Sequence, residues 1–430
     1  MTEFNQPPAR VVFVNRYFAP DESATSRMLS DLAFRLADQG VPVAVVTSRQ
    51  LYENARAALP PRERIRGVTV HRVNTARWGR ARLVGRALDY ASFHVAAGFE
   101  LRRLLRSGDV VVAKTDPPLI SIAVAVVARL RGAVLVNWLQ DLFPEVSSAI
   151  APGAMPRWLE RGLVAARDQT LRQAAMNIVL SEGMRGRLLA RGVSSAQIRV
   201  IPNWADATTV VPKSSDDSVT RRRLGLSGLV VGYSGNLGRA HEFDTLLGAA
   251  RLLSTDNGIS FLITGSGAKA AGLQRMVKEE GLDRFVFQDY QPPELLADSL
   301  AASDVHVVSL LPQLEGLIVP SKIYGILAAG RPALYIGDPE GDVGRLVRDN
   351  ACGIAVRCGD RERLASELRA LRQQPERLSL MGMRARELAL ARYRSEHAVS
   401  SWLDFLAGIA PQVTRPGAVV GCHTSVTAGA

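Results

Sequence analysis

The sequence predicts an α/β protein built from two doubly wound parallel-sheet domains in series. The first observation is length, because 430 residues are more than one hydrophobic core usually organises and fit two domains. The second is a repeated alternation of short β-branched runs with amphipathic helical segments, which is typical of a parallel sheet with helices on both faces. The third is that this alternation stops in a polar stretch and then begins again.

In the first half, a buried strand is predicted over residues 10–15, followed by a loop and a helix over 27–39 that ends at Gly40. Val, Ile and Leu fill the further short runs, as in fully buried strands of a parallel sheet. These predicted strands cover residues 41–47, 68–73, 110–112, 134–136 and 178–180.

Residues 203–227 are polar and indicate the linker between the domains. Beyond it we predict helices over 242–253 and 271–280, a helical region over 375–410 and a loose tail over 411–430. The strands predicted for this half cover residues 229–233, 261–264, 285–287, 305–309, 333–336 and 354–356. We expect one domain over 8–205, a second over 206–385, and a helix over 386–408 that packs back on the first.

Composition excludes several classes of protein. Apolar residues make up 47% of the chain and charged residues 22%, which excludes wholesale disorder. Three cysteines, Cys352, Cys358 and Cys422, cannot make a disulfide scaffold and favour a reduced, cytosolic compartment. The longest apolar stretch, residues 119–128, is too short to span a bilayer, and the N-terminus lacks a signal-peptide layout. We therefore expect that the chain is not an integral membrane protein.

The net charge of +12 favours anionic partners, and charge alone does not choose among nucleic acid, anionic lipid and phosphorylated ligands. Only five of the 53 basic residues are lysines, so each lysine in a loop that follows a strand is of interest.

Ligands of open α/β sheets bind in the loops at the carboxyl ends of strands. The loop after the strand over 229–233 carries Gly235 and Gly238, which let a ligand approach the backbone, and Arg239, a bidentate phosphate donor. This pattern fits a phosphate site or a tight strand–helix turn. His241 is either a ligand contact or a surface residue at the start of the next helix.

Two further loops follow strands of the same half. Gly265 and Gly267 could face the same ligand, although strand–Gly-x-Gly turns also serve packing. Ser321 and Lys322 are predicted to begin a helix, where a lysine opposes the helix dipole unless an anion binds beside it. Lys322 is therefore the favoured diphosphate partner. Glu315 could bind sugar hydroxyls or be a solvated loop carboxylate.

The order of these motifs resembles a known family. The segments YSGNLGRAH (233–241), ITGSG (263–267) and GLIVPSKIYGILAAGRP (316–332) are similar to the nucleotide-sugar domain of GT-B glycosyltransferases. They resemble the retaining family 4 enzymes, in the WbuB-type branch that builds O-antigen and other surface polysaccharides. The segments YFAPD (17–21), TDPP (115–118) and WLQDLFPE (138–145) agree with the acceptor-side domain of that family.

The resemblance implies two Rossmann-like domains facing a cleft, with 8–205 as the acceptor side and 206–385 as the donor side. The implied reaction moves a sugar, expected to be an amino sugar, from a UDP-sugar to an acceptor hydroxyl with retention and without a metal. The expected catalytic residues are Glu315, Lys322, Arg239 and Asp141. The expected donor-binding residues are Gly235, Asn236, Gly238, His241, Gly265, Gly267, Gln291, Ser321 and Tyr324. The expected acceptor-binding residues are Thr25, Ser26, Asp116 and Glu145.

The sequence departs from the family pattern at several of these places. The paired glutamates of the family, separated by seven intervening residues, fall on Leu317 and Gly325, and Glu315 is only the nearest substitute. Asn236 and His241 stand where the phosphate loop usually has arginine and lysine. A histidine often seen on the acceptor side is missing near residues 140–141.

The acceptor is expected to be a saccharide on undecaprenyl diphosphate, so we expect a cytoplasmic protein peripheral to the inner membrane surface. Segment 77–99 mixes arginines with Trp78, Leu88 and Phe99, as a basic, aromatic membrane-binding surface would. A solvated helix face or a nucleic-acid surface also fits this segment, and the resemblance favours the membrane over nucleic acid.

Two other classes remain open. A UDP-sugar 2-epimerase of the same fold would need acid–base side chains, whereas only His241 among six histidines lies in a motif loop. A non-catalytic protein that binds nucleotide sugars would tolerate the missing glutamates.

Overall fold

A computed structural model describes residues 9–78, 83–153 and 155–409. The predicted tail 411–430 and Cys422 lie outside the described residues. Two compact units divide the chain: the first contains the described residues up to Trp138, residues 173–175 and those from Val399 on, and the second contains the rest.

Strands and helices alternate along both units. The strands are β1 (Val11–Val14), β2 (Val43–Ser48), β3 (Arg62–Ile65), β4 (Val68–Val73), β5 (Val110–Lys114), β6 (Val134–Trp138), β7 (Met176–Val179), β8 (Ile198–Val200), β9 (Leu229–Ser234), β10 (Ile259–Thr264), β11 (Phe285–Gln288), β12 (Val305–Ser309), β13 (Ala333–Gly337) and β14 (Gly353–Arg357). The helices are α1 (Ala24–Asp38), α2 (Leu83–Leu104), α3 (Ile120–Arg131), α4 (Glu145–Ile150), α5 (Arg157–Gln173), α6 (Glu182–Leu189), α7 (Val219–Arg223), α8 (Asp244–Leu252), α9 (Ala270–Glu279), α10 (Leu296–Ala301), α11 (Lys322–Ala328), α12 (Asp342–Asp349), α13 (Arg361–Gln373), α14 (Pro375–Arg392) and α15 (Ser395–Ile409).

Strands of the first unit follow the order β3-β4-β2-β1-β5-β6. They pair in parallel, with Val12 opposite Ala44 and Val111, except that β3 runs antiparallel to β4. Strand residues are apolar on both sides because helices cover both faces of the sheet. On one face α2 and α3 bury Phe93 and Val124 against the sheet. On the other face Trp402 of α15 packs on Phe13 and Trp138.

Strands of the second unit follow the order β11-β10-β9-β12-β13-β14, all parallel. One face of this sheet buries Val231, Phe261 and Ile263 with α8 and α13, and the opposite face buries Val230 and Leu262. The same unit contains the parallel pair β7–β8. Loops that leave the carboxyl ends of β9, β10 and β12 therefore emerge at one edge of the sheet.

The predicted fold class is confirmed: the chain has two parallel-sheet α/β domains. Two differences have local reasons. Strand β3, Arg-Glu-Arg-Ile, was not predicted, because it is charged. It lies at a sheet edge, where it pairs with only one neighbouring strand. The polar linker contains the short helix α7, whose Ser218 hydroxyl accepts the amide N–H of Arg221.

No helix among the described residues is long and apolar enough to cross a lipid bilayer.

Candidate active site

Two glycine loops pack against each other at the carboxyl edge of the second sheet. The loop after β9 and the loop after β10 are joined by hydrogen bonds from the Leu237 amide to the Ser266 carbonyl, 2.8 Å, and from the Lys269 amide to the Leu237 carbonyl, 2.9 Å. Gly267 has φ +149°, and a Cβ atom there would overlap the Leu237 carbonyl. Gly265 has φ +127°, and a Cβ atom there would overlap the Gly235 carbonyl. The structure thus brings these predicted donor residues together.

The ammonium group of Lys322 lies beside this pair of loops. A Cβ atom on Gly235 would lie 3.7 Å from the Lys322 Nζ. The Nζ is buried 3.7 Å from the centre of the Tyr233 ring and has no hydrogen-bond acceptor among the described residues. Burial holds the pKa of Lys322 well below its usual range. A buried ammonium without a counter-ion is unfavourable by itself, and an anionic ligand beside the half-buried Gly235 would stabilise it.

His241 is the next side chain in this cluster. Its Nδ1–H donates to the Ser309 carbonyl over 2.6 Å, so its Nε2 is the acceptor of the neutral ring. Burial, and then the charge of Lys322, lower the pKa of His241 to about 3. The ring is therefore neutral at physiological pH and offers a lone pair rather than a positive charge.

Arg239 and Asn236 are exposed on the first glycine loop, and the Tyr233 hydroxyl donates to the Asn236 carbonyl over 2.7 Å. Gly238 is half-buried between Asn236 and His241. Arg239 is thus free of burial costs and is placed on the loop where the sequence predicts a phosphate donor.

Glu315 has protein partners of its own. Its carboxylate accepts the amide N–H of Asp342, the first residue of α12, at 2.6 Å, and the Tyr335 hydroxyl at 3.3 Å. Burial raises the pKa of Glu315, and the nearby charges of Asp342 and Asp338 raise it further. These contacts give Glu315 a helix-capping role, and its catalytic role stays a prediction.

Asp141 lies in the second unit, where its backbone forms an antiparallel bridge with Ile318. The Leu142 amide donates to the Leu317 carbonyl over 2.9 Å. The structure therefore brings this predicted carboxylate to the segment that leads into Lys322, although the two are far apart in sequence.

Three other predicted donor residues differ in their surroundings. Ser321 is exposed just before α11, and Gln291 donates to the Asp289 carbonyl over 3.0 Å. Tyr324 lies in the core, where its ring packs edge-on against Tyr393 at 5.1 Å.

Among the predicted acceptor residues, Thr25 and Asp116 meet in the first unit, where the Thr25 hydroxyl lies 3.3 Å from an Asp116 carboxylate oxygen. The Ser26 hydroxyl is buried and donates to the Asp21 carbonyl over 2.7 Å. Glu145 belongs to the second unit, where it accepts two hydrogen bonds from Arg167. Glu145 therefore has a structural ion pair in place of a free carboxylate.

Two residues of this edge were not predicted. The Lys269 ammonium donates to the His241 carbonyl over 2.5 Å, and a lysine just after Gly-Ser-Gly was the available signal. The Gln288 side chain ends β11 beside Gly265, and neither of its buried amide atoms has a partner among the described residues. The sequence singled out this segment through Gln291, and it gave no reason to choose Gln288 as well.

Within the described residues, no group of three or more His, Cys, Asp or Glu side chains is arranged to hold a metal ion.

Comparison with known proteins accounts for both halves of the chain. Residues 23–204 match the family described as "Glycosyl transferase 4-like domain", and residues 228–374 match "Glycosyl transferases group 1". The chain is a GT-B glycosyltransferase. A curated relative is the putative colanic acid biosynthesis glycosyl transferase WcaI of Escherichia coli K12, 26% identical over 371 residues, covering 83% of this chain and 89% of the relative.

Solved structures show the fold of this glycosyltransferase. Sucrose-phosphate synthase of Thermosynechococcus elongatus superposes with TM-score 0.75 at 18% identity, covering 93% of this chain and 98% of that one. Anabaena HepE in complex with UDP-glucose superposes with TM-score 0.68 at 16% identity, covering 93% of this chain and all of the HepE chain.

Proposed function

We propose that this glycosyltransferase is a retaining family 4 enzyme that moves an amino sugar from a UDP-sugar to a lipid-linked saccharide in surface-polysaccharide synthesis. The observation that carries the proposal is the buried, unpartnered ammonium of Lys322 beside the Gly235 loop. We assign the donor-side domain to residues 206–385 and the acceptor-side domain to residues 8–205 with residues 386–408, which the structure divides between the end of α14 and α15 in place of the single predicted helix.

The donor's diphosphate is the ligand that best completes this cluster. It would give Lys322 the acceptor it lacks, and exposed Arg239 would supply a second cation from the loop. Gly235 has no side chain to fill the space beside the ammonium, because a Cβ atom there would lie 3.7 Å from the Lys322 Nζ. Uracil is proposed as the base because the HepE neighbour was solved in complex with UDP-glucose.

Sugar transfer breaks the bond between the anomeric carbon and the diphosphate oxygen, and the electron pair leaves with UDP. The acceptor oxygen then bonds to the same face of that carbon. Lys322 and Arg239 would stabilise the charge that grows on the leaving diphosphate. The acceptor proton passes to the departing diphosphate or to Asp141, whose backbone pairs with Ile318. These cations are proposed to make a metal unnecessary.

The acceptor side of the proposal involves Thr25 and Asp116, whose hydroxyl and carboxylate lie together. A saccharide on undecaprenyl diphosphate is proposed because the WcaI relative is named for colanic acid biosynthesis. Such an acceptor requires a cytoplasmic enzyme peripheral to the inner membrane surface, with segment 77–99 in contact with lipid. In that segment Trp78 and Phe99 are 74% and 62% exposed, and residues 79–82 lie outside the described residues.

The test is transfer from a panel of UDP-sugars to a lipid-linked saccharide in EDTA, with the anomeric configuration of the product read by NMR. We expect a retained product from wild type, none from Lys322→Met, and normal turnover from the control Lys278→Met, which changes an exposed lysine on α9. An inverted product, or loss of turnover in EDTA, would contradict the proposal. Epimerised donor without acceptor would show an isomerase instead.

A further inference from the structure

Helix α2 presents an apolar stripe to solvent. Its buried side, which includes Phe93 and Leu101, packs on the sheet of the first unit. Leu88, Val95 and Phe99 are spaced by seven and four residues and so lie on one face of the helix, opposite to the buried side. They are 47%, 60% and 62% exposed. This stripe has no covering element among the described residues.

Helix α3 continues the same surface. Val124 and Val127 of α3 belong to the same buried cluster as Phe93 of α2, so both helices cover the same face of the sheet. The Arg131 guanidinium donates to the Leu105 carbonyl over 2.9 Å and ties the end of α3 to the end of α2. On the outer side of α3, Val126 and Leu130 are 58% and 67% exposed.

Exposed arginines flank these five apolar residues, since Arg102 and Arg103 lie three and four residues after Phe99 and Arg129 lies three residues after Val126. Arg86, Arg106 and Arg131 are also exposed on or next to the two helices. The two helices contain only two acidic residues in their described sequence: Asp89 is buried, and Glu100 accepts a hydrogen bond from His71 at 2.9 Å. The surface is therefore apolar at its centre and cationic around it.

We propose that this surface, termed the α2–α3 face, binds the anionic surface of a lipid bilayer. An anionic bilayer favours this arrangement, because the apolar side chains can enter the boundary of the acyl chains while the flanking guanidinium groups lie at the depth of the lipid phosphates. A second copy of this chain fits poorly, because two-fold docking would place arginines against arginines. The inference rests on the proposed lipid-linked acceptor for its role, and it extends the contact beyond segment 77–99 to α3.

The test measures flotation of the full chain with vesicles of phosphatidylethanolamine and phosphatidylglycerol, and with phosphatidylcholine vesicles. We expect binding to the anionic vesicles only. Arg102→Gln, Arg103→Gln and Arg129→Gln together should lower the partition coefficient about 100-fold, at roughly fivefold for each arginine. Val95→Ser with Phe99→Ser should lower it about tenfold or more. The control Leu380→Ser with Met383→Ser changes similarly exposed residues of α14 and should leave binding unchanged.

Three results would overturn the proposal that the α2–α3 face binds an anionic bilayer. One is anionic-vesicle binding that both sets of variants retain. Another is a dimer in sedimentation that Phe99→Ser dissociates. The third is binding to a nucleic-acid duplex, lost with the arginines, by a protein that does not bind vesicles. All substituted residues are exposed, so equal melting temperatures are expected for every variant.

The vesicle assay contains neither donor nor acceptor and is thus independent of sugar transfer. Turnover is measured separately on an acceptor dispersed in detergent. Vesicle binding without turnover would support lipid binding by the α2–α3 face and contradict the proposed function. Turnover without vesicle binding would contradict lipid binding by the α2–α3 face and leave the proposed function in place.

Discussion

Two buried lysines, Lys114 in the first unit and Lys322 in the second, show how similar surroundings can serve different purposes. Each places its ammonium over an aromatic ring, 4.4 Å from Trp138 for Lys114 and 3.7 Å from Tyr233 for Lys322. Lys114 ends β5 and donates to the Thr25 carbonyl over 2.7 Å. Lys322 has no acceptor among the described residues.

The difference lies in how the cost of burying a charge is offset. Lys114 recovers part of that cost inside the folded protein, through a hydrogen bond that holds the first turn of α1. Lys322 has no such hydrogen bond, and under the proposed function the anionic donor would offset the cost of burying its charge. We therefore expect Lys114 to be a structural cation and propose Lys322 as the functional one.

The largest expected effect is on UDP affinity in Lys322→Met. Removing the cation that faces a buried diphosphate should raise the Kd about 150- to 4,000-fold, since breaking a buried ion pair costs about 3–5 kcal/mol. Isothermal titration calorimetry measures this Kd. Lys114→Met is the matched control, and we expect it to bind UDP with the wild-type Kd. Equal losses in both variants would contradict the distinction between the two lysines.

The reverse asymmetry is expected for stability. Lys114→Met removes a charged hydrogen bond to the Thr25 carbonyl, so the protein should lose roughly 1–2 kcal/mol of unfolding free energy. Lys322→Met should be neutral or stabilising without ligand, because burial depresses the Lys322 pKa in the folded state and protonation therefore favours the unfolded chain. Thermal unfolding without nucleotide measures both. A large destabilisation by Lys322→Met would make that lysine structural as well.

UDP binding should weaken as pH rises. The pKa of Lys322 is lowered in the free protein by burial, and a bound diphosphate favours the protonated form, so binding takes up a proton between the free and bound pKa values. In that interval the Kd should rise by up to about tenfold per pH unit. Calorimetry in buffers of different ionisation enthalpy measures the proton uptake. A Kd and proton count independent of pH in wild type would contradict an ionised, ligand-paired Lys322.

A smaller effect is expected from Glu315→Gln. The amide oxygen can still accept the Asp342 N–H, and the substitution removes a carboxylate whose pKa is raised by burial and by Asp342. Because that raised pKa makes ionised Glu315 unfavourable for folding above its folded-state pKa, the variant should match or exceed wild-type stability at neutral pH.

Turnover of Glu315→Gln then separates the two roles of this residue. A capping residue leaves kcat within about twofold of wild type when the cap is preserved. A loss of several orders of magnitude, with unchanged melting temperature, would show that Glu315 acts on the sugar.

Sequence patterns predicted what depends on local order along the chain. Both sheets followed from the alternation of β-branched runs and helices, and the Gly235 and Gly265 loops followed from glycines placed just after strands. Lys322 was singled out because a lysine in a first helical turn needs an anion. These features require no knowledge of distant residues.

What the sequence could not predict depends on partners far along the chain. The pairing of Asp141 with Ile318 and the capping of α12 by Glu315 are tertiary contacts without a local signal. The burial of Tyr324 against Tyr393 likewise depends on how α14 ends beside α11. A residue's type indicates its chemistry, and only its neighbours decide whether that chemistry is already satisfied.

The central claim is that Lys322 is the cation that holds the donor's diphosphate. The chain contains only five lysines, so labelled lysine side chains give a simple NMR spectrum in which each ammonium can be titrated. We predict one lysine, absent from the spectrum of Lys322→Met, with a pKa below the usual value in the free protein and a raised pKa when UDP binds. A Lys322 resonance whose pKa and chemical shift do not respond to saturating UDP would contradict the claim.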